Sequence, residues 1–186
     1  MGNPLFLIIQ GFVLFLPAMA ANSLAVVTGG IGKMDFGKSM RDGHRIFGDG
    51  KTWSGFLGGI ALSITFGYII LGVDYLMKYP LYPYGYGAIY PLSSLVPMCA
   101  GSLTGDLAGS FTKRRIGIPS GGNAHLLDQI PFAIMSLIFI FVFDPSFFYA
   151  VYYNYFAIPF ILIITPPIHR AVNIIGYRMN RKSVPW

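Results

Sequence analysis

The chain has 186 residues, 54% of them hydrophobic and only 11% charged, with a mean hydropathy of +0.61. A soluble domain of this length needs a more charged shell, so the composition excludes one and points to an all-α integral membrane protein forming one unit, residues 1–186. Thirteen Lys and Arg against seven Asp, with no Glu, leave a net charge of +6, and the lone Cys99 excludes an intramolecular disulfide framework.

Five segments reach the roughly 20 apolar residues that a membrane crossing takes. The first is 4–27. Its apolar run 5–16 and Ala18-Met19-Ala20 imitate a signal peptide, but no Lys or Arg precedes the run, so it reads as a span. A connection, about 28–54, follows with Lys33, Lys38, Arg41, Arg45 and Lys51. Its stretches "TGGIGKMDFGK" and "RDGHRIFGDGKTWSG" are glycine-dense as well as basic. Glycine lets backbone N–H groups approach an anion closely and line phosphate-binding concavities. "GDGKTW" is not a P-loop, because the glycine expected five residues before Gly50 is Arg45. Lys51 and Thr52 still precede a helix whose positive N-terminal end favours phosphate, although a plain helix start reads equally well.

The second span is 55–77, and Lys78 begins an aromatic, nearly uncharged connection. The third, 86–107, ends in "GDLAGSFTKRR". Asp106 is an ionisable group at the edge of an apolar segment, and such groups are functional candidates by default. On a helix Asp106, Ser110 and Lys113 share one face, with the spacing i, i+4, i+7. The basic connection 108–125 leads to Asp128, at the start of the fourth span, 126–143. Two aspartates without His or Cys partners favour a hard cation, Mg²⁺ over Zn²⁺. The histidines form no metal set: His44 lies in a basic loop, His125 at a helix start and His169 at a helix end. The fifth span is 147–168. Pro17, Pro91, Pro97, Pro131, Pro159 and Pro166-Pro167 interrupt four of the five and are read as kinks.

Twelve of the thirteen cations fall in the first and third connections and the tail, giving that side +7 and the other −1. The positive-inside rule puts that side in the cytosol, with the N-terminus outside and the C-terminus inside. Basic loops fix topology by themselves, but topology does not ask for the glycine and aspartate mixed among these cations.

The run "GDLAGSFTKRRIGIPSGGNAHLLDQIPF" resembles the signature region of CDP-diacylglycerol synthases, membrane cytidylyltransferases that use CTP. The similarity is greater to the archaeal branch, the CDP-archaeol synthases, and extends to "PAMAANSLAVVTGG" and "DFGKSMRDGHRIFGDGKTWSG". The chain departs from the bacterial pattern at Pro119-Ser120, where Lys-Asp is expected, and in a shortened glycine stretch before Leu127. Only Asp106 and Asp128 therefore carry over as carboxylates.

The resemblance implies joining CTP to 2,3-di-O-geranylgeranylglycerol 1-phosphate, an isoprenoid lipid, at the cytoplasmic face of the cell membrane in phospholipid synthesis. The lipid phosphate has a second pKa near 6, is already largely dianionic, and needs no general base. Asp106 and Asp128 are expected to hold Mg²⁺. Lys113 is expected beside them in catalysis, with Lys51, Thr52, Ser110 and Arg114 on phosphate. Arg115 faces away from Lys113 on a helix and is a weaker candidate. Asn22, Lys33, Asp42 and Gly50 are expected around the nucleotide, Asn22 by reading a base edge. No nucleic-acid partner is expected, and a homodimer is left open. The alternatives are a CTP-dependent polyprenol kinase and a small membrane transporter.

Overall fold

A computed structural model describes residues 3–78, 81–83, 92–120 and 122–179. Seven helices make up the described chain: α1 Pro4–Thr28, α2 Trp53–Met77, α3 Leu92–Arg115, α4 His125–Gln129, α5 Pro131–Phe143, α6 Pro145–Val151 and α7 Ala157–Arg178. Residues 86–91 of the third expected span, with Pro91, and the tail cations Arg181 and Lys182 lie outside the described residues.

By length and composition α1, α2 and α7 can each cross a membrane, and α5 is a shorter apolar helix. The surface of α2 shows why lipid suits it. Its buried positions are Gly55, Gly59, Ser63, Gly67 and Asp74, while Leu57, Ile69 and Leu76 point outward. A helix in water would reverse that pattern. Here small residues face protein and large apolar ones face outward, as packing between helices in lipid requires.

Two expected spans are not single helices. Residues 126–143 divide into α4 and α5, because Pro131 occupies the first position of α5, where its missing N–H costs nothing; it starts a helix and does not kink one. Residues 147–168 divide into α6 and α7, separated by a turn in which Asn154 accepts from the N–H groups of Phe156 and Ala157. Helix α7 then continues ten residues past 168, which puts His169 inside the helix and not at its end. Helix α3 likewise runs on through Arg115, so the third connection begins at 116 and not 108.

The core is built on α3. Leu95, Met98 and Cys99 are fully buried with Phe15, Ala18, Phe132, Ile140 and Tyr152. Serine hydroxyls tie the helices together: Ser102 donates to the Ala18 carbonyl (2.7 Å) and Ser136 to that of Met98 (2.9 Å). Along α3, Gly101, Gly105 and Gly109 press against the backbones of α4 and α5. A Cβ at Gly105 would lie 2.3 Å from the Pro131 carbonyl oxygen, and one at Gly109 would lie 2.5 Å from that of Leu127. This contact brings Asp106 and Asp128 to the same end of the bundle. The opposite end carries Asp144, which accepts from Ser93 and Ser94 and caps α6 at Phe147.

Candidate active site

Loop 29–52, the start of α2, the end of α3 and the short α4 meet at one end of the bundle. Thr52 caps α2 by accepting from the Gly55 N–H, and it also accepts from the Gly30 N–H at 3.2 Å each. The capped start fixes Lys51, whose ammonium pairs with Asp106 of α3. About two turns further along α3, Lys113 pairs with Asp128 of α4 at 2.5 Å and donates to the Gly122 carbonyl at 3.2 Å. The other oxygen of Asp128 accepts from the Ala124 N–H (3.0 Å). Both pairs are partly shielded, with side-chain exposures of 26% and 28% for the first and 12% and 21% for the second.

Beside Asp106 a small cavity opens between α1, α2 and α3. Asn22, Met34, Gly50, Lys51, Thr52, Leu103 and Asp106 are among its lining residues. Both polar atoms of the Asn22 amide are buried there without a hydrogen-bond partner. A buried amide left unsatisfied costs about 1–3 kcal/mol, which a ligand able to donate and accept would recover. Of the expected site residues, the structure therefore brings Asn22, Gly50, Lys51, Thr52 and Asp106 to one cavity. Asp128 and Lys113 form a second pair farther along α3. Ser110 and Arg114 are buried beside it on the same helix, and the Arg114 Nε has no partner.

Three residues lie elsewhere. Lys33 pairs with Asp49 at 2.5 Å on the loop surface. Asp42 pairs with Arg115 at 2.7 Å and caps its own turn through the His44 N–H. Arg115 fastens the loop: it donates to the carbonyls of Arg45 (2.7 Å) and His44 (3.2 Å), and its guanidinium lies over the Phe111 ring at 5.2 Å. Sequence reading missed Asp35, which Arg45 grips with a two-pronged contact, and the glycine stripe of α3. The stripe had a signal in its four-residue spacing; the Asp35 pairing had none, because loop partners are not periodic.

Two of the loop carboxylates, Asp35 and Asp49, are held below their ordinary range. Burial alone would raise the Asp35 pKa. The Arg45 fork and the N–H groups of Gly48, Gly37 and Phe47 outweigh it and hold the group well below its ordinary 3.8. Lys33 first, then Arg45, lower that of Asp49.

Magnesium can be tested against these donors. Among the described residues no three His, Cys, Asp or Glu side chains group together, so a closed protein cage is absent. Magnesium does not need one: it takes one or two carboxylates and completes its shell with substrate phosphates and water. Asp106 and Asp128 fit that pattern, each now holding an ammonium where a cation would sit.

A second, apolar cavity of about 280 Å³ runs between α1 and α7, lined by Leu16, Met19, Phe66, Phe132, Thr165 and His169 among others. His169 stacks on Phe132 (5.7 Å between ring centroids) and bonds Asn173 at 3.2 Å.

A family model described as CarS-like, CDP-archaeol synthase, matches residues 5–186. The CDP-archaeol synthase of Picrophilus torridus is 47% identical over 182 residues, 98% of this chain and 98% of that protein. That of Pyrococcus furiosus is 41% identical over 184 residues, 96% of this chain and 98% of the relative. A solved structure, described as an intramembrane enzyme for archaeal membrane lipids biosynthesis, superposes with a TM-score of 0.62 and 31% identity, covering 94% of this chain and 95% of that one. The match spans both basic loops, α3 with Asp106, α4 with Asp128 and the helical frame around them, and on that basis the chain belongs to the CarS-like family of CDP-archaeol synthases.

Proposed function

We propose that the chain is a membrane cytidylyltransferase that joins CTP to 2,3-di-O-geranylgeranylglycerol 1-phosphate, giving CDP-archaeol and pyrophosphate. Family membership supports the reaction. The observation that carries the residue assignment is the pair of lysine–carboxylate contacts, Lys51–Asp106 and Lys113–Asp128, set on one helix end beside a polar cavity.

An oxygen of the lipid phosphate attacks the α-phosphorus of CTP, and the bond from that phosphorus to the bridging β-oxygen breaks as pyrophosphate leaves. The attacking oxygen carries no proton to remove, so a site without a general base suffices. The obstacle is repulsion between a lipid phosphate of about −2 and a nucleotide of about −4. Positive groups brought against the phosphates lower that barrier. Lys51, Lys113 and Arg114 take this role, the lysines turning from their carboxylates to phosphate oxygens. Magnesium held by Asp106 and Asp128 would neutralise further triphosphate charge. Asn22 faces the base, and Gly50 lets the backbone come close to the nucleotide. Thr52 and Ser110 act through the helix start and the α3 packing that hold the two lysines. The apolar cavity between α1 and α7 accommodates an isoprenoid tail. The five-span topology, with the basic loops in the cytosol, belongs to the same reading.

Labelled CTP, lipid phosphate and Mg²⁺ supplied to purified protein in detergent test it. The expected products are pyrophosphate and the CDP-lipid, with CTP outcompeting ATP, GTP and UTP and with turnover lost on chelation. Release of CDP with a phosphorylated alcohol, or flux across liposomes without nucleotide turnover, would overturn the reading. Family membership gives neither the kinase nor the transporter any support.

A further inference from the structure

Among the charged groups of loop 29–52 that take no part in the proposed reaction, Asp35 is the buried one. Asp35 is 3% exposed. Its Oδ1 accepts from Arg45 Nη2 (2.6 Å) and the Gly37 N–H (3.0 Å). Its Oδ2 accepts from Arg45 Nε (3.1 Å) and from the N–H groups of Phe47 (3.2 Å) and Gly48 (3.0 Å). Charge-assisted bonds of this kind are the strong ones, and a two-pronged arginine adds directional constraint. Between Asp35 and Gly37, Phe36 has a φ of 50°, a left-handed conformation that a bulky residue keeps only when its surroundings over-determine it. A surface ion pair would need none of this.

The clamp connects to the active site within a few residues. Gly48, which donates to Asp35, has a φ of 108°, and a Cβ there would lie 2.9 Å from Ser120 Oγ and 3.9 Å from the Arg114 guanidinium. The Gly48 carbonyl accepts the Lys51 N–H at 3.3 Å. Lys51 then reaches Asp106. Arg115 holds the same loop from the end of α3 through Asp42 and two carbonyls. Arg115 thus fastens the loop at residues 42–45, and Asp35 anchors the turn that aims Lys51 through the Gly48 N–H.

We propose that Asp35, clamped by Arg45, is a positioning residue that sets the Gly48–Lys51 turn and so presents the Lys51 ammonium to Asp106. Its effect on turnover rests on the reading of Lys51 as a phosphate-binding group; its effect on the turn does not. Lysine acylation read by mass spectrometry separates the two. In Asp35→Asn, Lys51 becomes several-fold more reactive than in the wild type while Lys113 stays unchanged. Equal increases at both lysines would mean general loosening, and no change at Lys51 would mean the clamp does not hold the turn; either overturns the proposal. If Asp35→Asn does not accumulate, Arg45→Met removes the same clamp from its other partner and carries the same outcomes.

CTP turnover then adds a test that a purely structural role would not meet. Asp35→Asn lowers kcat by roughly ten- to a hundredfold, the order expected when a catalytic group is displaced by about an ångström. Introduced into Lys51→Ala, it lowers kcat little further. Full additivity would overturn the proposal. Should the acylation change occur while both Lys51→Ala and Asp35→Asn turn over at the wild-type rate, the positioning role stands and the reading of Lys51 falls.

Discussion

Lys51 and Lys113 come from different parts of the chain, and each ends on a carboxylate the other does not touch. The pairing holds both cations in place, yet each contact is partly exposed and therefore exchangeable for a phosphate contact. On the proposed reading, Asp106→Asn or Asp128→Asn leaves a neutral group of the same shape that would no longer hold the divalent cation. Each should lower turnover by roughly a hundredfold or more, the order lost when one preorganised charge or donor is removed. Pyrophosphate release against CTP concentration at several Mg²⁺ levels checks this, since extra Mg²⁺ should not rescue either variant. A pH series adds the sign. A carboxyl held below its ordinary 3.8, as Asp35 is, contributes stability that is complete above that value and lost as pH falls toward the lowered one. The Lys51 acylation ratio should accordingly be flat from about pH 8 to about 5 and change only in stronger acid. At this scale the sequence revealed residue types better than partners. Asp106 and Lys113 were legible because a helix fixes their spacing. The engagements of Lys33 with Asp49 and Asp42 with Arg115 were not, because loop geometry decides them.

Helices α3 and α5 meet backbone to backbone. Gly105 sits at the tightest point, where an added Cβ would lie 2.3 Å from the Pro131 carbonyl and 2.6 Å from the Phe132 Cα, neither of which can move aside alone. Gly105→Ala must push the helices apart, costing at least about 1–3 kcal/mol, the range for overpacking a filled core. The displacement also moves Asp106 relative to Asp128. Gly72 of α2 supplies the comparison, since a Cβ there meets nothing within 4 Å. Thermal unfolding followed by tryptophan fluorescence in detergent should show a lowered Tm for Gly105→Ala, with lost turnover, while Gly72→Ala behaves as wild type. Hydrophobic length located the elements, but not their breaks: the Asn154 turn that separates α6 from α7 lies within a stretch apolar enough to read as one span. Proline was ambiguous in the same way. Pro17 and Pro97 lie inside helices, whereas Pro131 begins one, and composition around them does not distinguish the cases.

At the scale of the whole molecule, the polar end that carries Lys51, Asp106, Lys113 and Asp128 is also the end that carries loop 29–52, with its five cations. Cations resist translocation, so basic connections stay in the cytosol. CTP is a cytosolic nucleotide and too highly charged to cross lipid, so a reaction using it needs its cationic groups on that same side. Topology and catalysis thus demand one orientation for independent reasons. Two reporter positions make the demand measurable. Ser39 is exposed in the basic loop, and Tyr155, 87% exposed, lies in the turn before α7 at the far end of the bundle. Cys99 is fully buried and would not compete for a thiol reagent added outside. In intact cells a membrane-impermeant maleimide should label Tyr155→Cys and spare Ser39→Cys, and permeabilisation should expose the latter. Labelling of Ser39→Cys in sealed cells would place the site on the wrong side for its nucleotide, and the link between the basic loops and the reaction would be lost.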